Sequence, residues 1–163
     1  MKRLLLVLLL SGCGFTSIIE EKQPNFMETA YYYLGYTEME NTKELKAMFG
    51  FNPRYTEWCA AFVNTILETS GYESLNTTNY PYPLIARGYL EYGEPLLEDE
   101  LRYGDIMVFT RGNSKWKGHV GFYVGQEKIK GKTYYRILGG NQSNEVNISL
   151  YPRYRLLGIR RPF

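Results

Sequence analysis

Two side chains in this sequence can do nucleophilic chemistry together. Cys59 is one of only two cysteines, and His119 is the single histidine. A thiol attacks electrophiles as its thiolate. An imidazole can take the thiol proton and later pass it to a departing amine. One available thiol and one histidine are the smallest set for covalent acyl chemistry of this kind. A third polar group is then needed to hold the imidazole in one tautomer. Gly139-Gly140-Asn141-Gln142 supplies two candidates, because Asn141 and Gln142 each carry a side-chain carbonyl. Each feature also has a plainer explanation. Free cysteine is a common buried hydrophobe, a histidine at a strand end is ordinary surface, and Gly-Gly-Asn is ordinary turn chemistry.

The elements around these residues must bring them together. Cys59 opens a helical pattern in which Ala60, Val63, Ile66 and Leu67 recur on one side, with Thr56 as a cap and Gly71 as the stop. That puts the thiol in the first helical turn, where free N–H groups and the helix dipole favour an anion. The dipole contributes about 0.3–1 kcal/mol, less than one pKa unit, so a nearby base is still required. Further helices are expected from Pro24 to Leu34, from Thr42 to Phe49 and from Leu84 to Tyr92, with a loop from Leu75 to Pro83.

Beyond Gly104 the pattern changes to short strands, expected at 105–109, 119–124, 133–138, 146–150 and 154–159. Helices first and strands afterwards predict an α+β fold, with helices packed on an antiparallel sheet of about five strands. His119 starts the second of these strands after a polar loop. If the third strand runs antiparallel to it, the Gly-Gly-Asn-Gln segment returns to the level of the histidine.

The N-terminus has the form of a targeting segment. Lys2 and Arg3 precede an apolar run, Leu4 to Leu10, that is too short to span a bilayer. Leu10-Ser11-Gly12-Cys13 follows and is similar to a bacterial lipoprotein signal. The expected organisation is a signal peptide over 1–12, a tether over 13–23 that starts at a lipidated Cys13, and a catalytic domain over 24–163. Lipid on Cys13 would anchor the protein to a membrane. The lack of Asp after Cys13 resembles lipoproteins sent to the outer membrane of Gram-negative hosts. Cys59 is then left without a cysteine partner.

The excess of 19 Lys and Arg over 17 Asp and Glu is carried by Lys2 and Arg3, so the chain beyond the leader is formally neutral. That gives no electrostatic basis for a nucleic-acid partner. One histidine and one available thiol are too few for a metal site, and no cofactor is expected. Asn-x-Ser/Thr patterns start at Asn76, Asn141 and Asn147, with chance as their expected source.

The segments Trp58-Cys59-Ala60-Ala61-Phe62-Val63, Gly104-Asp105-Ile106, Gly118 to Gly125 and Gly139-Gly140-Asn141-Gln142 occur in this order, followed by Gly158-Ile159-Arg160-Arg161-Pro162. Together they resemble the NlpC/P60 and CHAP group of papain-like cysteine peptidases and amidases that cut bacterial cell walls. The resemblance runs from about Phe26 to the C-terminus. It implies hydrolysis of peptidoglycan amide bonds through a thioester, with the stem peptide as partner. It also implies Cys59 as nucleophile, His119 as base and Asn141 as the orienting amide. Many CHAP enzymes have an acidic residue just before that asparagine, where this chain has Gly139. The oxyanion site would use the backbone N–H of Cys59 and one further donor. Trp58 and Trp116 are candidate substrate contacts. Two other readings remain: a non-catalytic module that binds stem peptide, and an acyl- or amidotransferase with the same thioester chemistry.

Overall fold

The computed structural model describes residues 24–162. The leader, Cys13 and the tether lie outside the described residues. Three helices come first: α1 (Asn25–Tyr32), α2 (Thr42–Phe49) and α3 (Cys59–Thr69). Six strands follow: β1 (Glu94–Leu96), β2 (Ile106–Thr110), β3 (Gly118–Ile129), β4 (Lys132–Gly139), β5 (Asn147–Pro152) and β6 (Leu156–Arg161). They form one antiparallel sheet in the order β1-β6-β2-β3-β4-β5. The α+β expectation holds, with one strand more than the pattern suggested. The extra strand, Glu94-Pro95-Leu96, carries little apolar signal, and its proline is tolerated because it lies at the sheet edge.

Period-two alternation sorts the sheet into two faces. Ile106, Val108, Val120, Phe122 and Leu138 pack with Phe26, Leu45, Trp58 and Phe62 from the helical side. Met107, Phe109, Tyr135, Ile137 and Ile159 form a second cluster on the opposite face. β3 is twice as long as expected. A bulge between Tyr123 and Gly125, with Gly125 at φ +148°, lets it continue past the glycine.

Local differences have identifiable causes. α3 begins at Cys59 with Trp58 as its N-cap residue and no side-chain cap, so Thr56 does not cap it. Thr56 is extended and follows a 3-10 turn over Pro53–Tyr55 that Asn52 caps instead. Gly50, at φ +77°, ends α2 in the left-handed conformation. The segment expected as a helix from Leu84 is only a 3-10 turn, Ala86–Glu91. The closing Arg-Arg pair has a structural use. Arg161 donates to both oxygens of the buried Asp105, at 2.9 and 2.8 Å, and so ties β6 to the start of β2.

One contact sets how closely helix and sheet approach. Gly140 lies against the Trp58 ring and the Cβ of Phe62, and a Cβ built on Gly140 would be 2.7 Å from that Phe62 atom. Gly140→Ala should lower stability by about 1–3 kcal/mol by overpacking, read as a drop in the urea midpoint. An unchanged midpoint would mean the contact is loose.

Candidate active site

Cys59 is the first residue of α3 and is 3% exposed. Backbone N–H groups of Ala60 and Val120 face its sulfur. Val120 follows His119 on β3, so the start of the strand lies against the start of the helix. Burial is the largest influence on the thiol and pushes its pKa up, and the two N–H groups offset only part of that. The expected tendency toward thiolate is therefore reversed in the resting protein, because desolvation outweighs the helix terminus.

His119 is 5% exposed and stands opposite Phe109 of β2. Its Nε2 is 3.0 Å from Oε1 of Gln142. The Gln142 amide nitrogen donates to Ile137 O at 3.1 Å, to Asn147 O at 2.7 Å and to Asn147 Oδ1 at 2.9 Å. Those bonds fix which end of the amide faces the imidazole. A carbonyl oxygen only accepts, so Nε2 carries the proton and Nδ1 keeps its lone pair. Burial, followed by the Arg111 and Arg155 charges, lowers the His119 pKa to about 3, although the Gln142 bond raises it. The imidazole is neutral at pH 7 and its basic nitrogen is Nδ1.

The structure gives the orienting bond to Gln142 and not to Asn141. Asn141 takes a left-handed φ of +57°, and its amide donates to Glu57 Oε2 at 2.8 Å. β4 ends at Gly139, and in the turn that follows the left-handed Asn141 carries its side chain to the rim while Gln142 is buried. Asn147 is a partner that the sequence reading missed. Its side chain donates to Gln142 O at 2.9 Å while its own oxygens accept from the Gln142 amide. Its only sequence signal was an unrelated glycosylation pattern.

Trp58 is not a substrate contact. It is fully buried, its Nε1 donates to Glu38 Oε1 at 2.6 Å, and its ring packs on Phe49. Trp116 fits the expectation better: it is 62% exposed and lines, with Cys59, Leu84, Ile85 and Ala86, a cavity of about 140 Å³. Asn64 of α3 holds the wall of this cavity. Its amide donates to Pro83 O at 2.9 Å, and its oxygen accepts from Leu75 N at 3.3 Å. Glu57 and Arg111 form an ion pair that borders the cavity on one side and a polar hollow of about 310 Å³ on the other. Among the described residues no cluster of His, Cys, Asp and Glu suits a metal ion.

A helix that starts at Cys59 is set on an antiparallel sheet with His119 second in β3, in an α+β fold of the papain-like kind. The chain is similar in structure to an NlpC/P60 family protein from Bacillus cereus ATCC 10987, with a TM-score of 0.50 and 19% identity. The match covers 83% of this chain and 38% of that one, so this chain spans well under half the length of that protein. No family model matches the sequence, and no curated protein matches it.

Two outcomes follow from the buried neutral pair. The unfolded chain carries the histidine at its ordinary value of 6.5 and the folded chain at about 3. The unfolded state thus binds the extra proton between these values. The stability contribution is complete above about pH 6.5 and is lost as pH falls toward 3. Its slope reaches at most about 1.4 kcal/mol per pH unit. Urea titrations across this range should be steeper in pH for the wild type than for His119→Gln; parallel curves would contradict a buried neutral imidazole. Iodoacetamide should label Cys59 slowly at pH 7 in the folded protein and at an ordinary rate once unfolded in urea. Equal rates would show an exposed or ionised thiol.

Proposed function

We propose that this protein is a cysteine hydrolase of peptidoglycan amide bonds, with Cys59 as nucleophile and His119 as general base. One observation carries the reading: Gln142 holds Nε2–H, which leaves Nδ1 as the basic nitrogen on the strand that faces the Cys59 helix. The resemblance of the motifs to cell-wall enzymes and the NlpC/P60 structural neighbour support the substrate class.

The resting pair is a thiol and a neutral imidazole, so charge separates only when substrate arrives. Nδ1 takes the thiol proton as sulfur bonds to the carbonyl carbon. The carbonyl oxygen becomes an oxyanion, stabilised by backbone N–H groups at the start of α3. The intermediate collapses, the C–N bond breaks, and the imidazolium gives its proton to the leaving amine. Water then attacks the thioester with His119 again accepting a proton. The acid leaves and the thiol is restored. Substrate that fills the cavity beside Cys59 also displaces water, which strengthens each of these interactions. Acylation at Cys13 is part of the same reading and would keep the domain beside the wall from a membrane.

Purified peptidoglycan digested with the mature protein should release new amine and carboxylate ends. Cys59→Ala and His119→Ala should each lower that release by at least about 10³-fold while leaving the fold intact, since nucleophile and base act as a unit. Cleavage retained by either variant would overturn the mechanism. Wall binding without cleavage in the wild type would favour a binding module.

A further inference from the structure

The bond to Gln142 holds one nitrogen of His119 but does not by itself set the plane of the ring. A second contact does. The Tyr151 ring lies flat on the imidazole, with centroids 4.9 Å apart and planes 3° from parallel. Tyr151 belongs to β5, which is separated from β3 by β4. It reaches His119 only because the sheet curls and brings the inward faces of distant strands together.

Tyr151 is itself held. It stacks on Phe109, the residue opposite His119, at 4.6 Å and 28°. The Arg155 guanidinium lies over the Tyr151 ring at 5.2 Å, and its Nε and Nη2 both donate to Thr110 O, at 3.1 and 2.6 Å. The end of β2 and the turn before β6 therefore fix Tyr151, and Tyr151 faces the histidine. The phenol pKa is raised to about 12, chiefly by burial, so Tyr151 offers a neutral aromatic face that does not ionise at neutral pH.

We infer that Tyr151 is a positioning residue for the imidazole: its ring holds the His119 plane so that Nδ1 points toward Cys59 while Nε2–H stays on Gln142, with Arg155 anchoring Tyr151. The activity part of this inference rests on the proposed hydrolase; the geometric part does not. Among the described residues, the charged and titratable groups that bear on the imidazole are Arg111 from the loop after β2, Arg155 from the turn before β6 and the Tyr151 phenol; Gln142 is neutral.

The chain has one histidine, so long-range nitrogen–proton NMR correlation reads its two nitrogens without ambiguity. The wild type should show a single Nε2–H tautomer from pH 5 to 8 and ring protons shifted upfield by Tyr151. Tyr151→Phe should keep both signatures. Tyr151→Leu, apolar but not flat, should lose the upfield shift and average the nitrogens toward mixed tautomers. On peptidoglycan fragments, kcat should fall by about 10- to 100-fold in Tyr151→Leu, the size of loss that small misplacement of a reacting group causes. KM should stay within about twofold, and Tyr151→Phe should restore kcat. If Tyr151→Leu does not fold, Tyr151→Met, which fills the space with a flexible chain, takes its place with the same expected outcomes. Mixed tautomers in the wild type, or a leucine or methionine variant with unchanged tautomer and kcat, would overturn the inference. NMR signatures as expected in a protein that cleaves nothing would leave the positioning role standing and remove the hydrolase.

Discussion

The first turn of α3 lies against the backbone of β3 and of the turn after β4, and the site exists only where these three meet. The approach is close because Gly140 offers no Cβ to the Trp58 ring or to Phe62. Gly118 and Gly121 instead let β3 sit close to β2 and β4, since an added Cβ would be 2.9 Å from Phe109 O at the first and 2.6 Å from Ile137 Cγ2 at the second. Trp58 is the wedge that sets the helix start. It is fully buried and bonded to Glu38, so the thiol beside it has little freedom to move. Packing at native density makes such an arrangement stiff, and a stiff first turn is what a nucleophile needs.

That closeness decides the electrostatics. Removing water from Cys59 and His119 disfavours both charged forms, and it does so more strongly than two N–H groups favour the thiolate or Gln142 favours the imidazolium. The same burial makes the hydrogen-bond pattern decisive. With no water to substitute, the Gln142 amide must point its nitrogen at Ile137 and Asn147 and its oxygen at His119. The tautomer is thereby set by a chain of bonds that begins in the β5 backbone. Around the rim, charge is kept in water: Glu57, Arg111 and Asn141 form a polar bridge between an apolar cavity and a polar hollow.

Much of this was legible in the chain itself. The helical spacing after Cys59, the strand signals at 105–109 and 119–124, and Gly50 as a helix stop all express local geometry, and the structure follows them, with the starts of these elements within a residue or two. The antiparallel return of β4 to the level of His119 followed from strand order and turn length. The less visible parts have physical reasons. β1 is a three-residue edge strand with a proline, too short to show a period. The 3-10 turn at 86–91 is shaped by Tyr89 and by the Asn64 clasp across the chain, so tertiary contacts override its helical pattern.

Sequence alone determined that one thiol and one histidine would open a helix and a strand, because residue type and local periodicity are enough for that. It also narrowed the orienting amide to two neighbours. Only the tertiary structure decided between them, because the turn after β4, with Asn141 left-handed, sends Asn141 to Glu57 at the rim and Gln142 inward to His119. Tertiary structure likewise decided that Trp58 is core, that Asn147 locks Gln142, and that Tyr151 of β5 covers His119 across an intervening strand. These are long-range outcomes of sheet curl and burial, and no spacing along the chain encodes them.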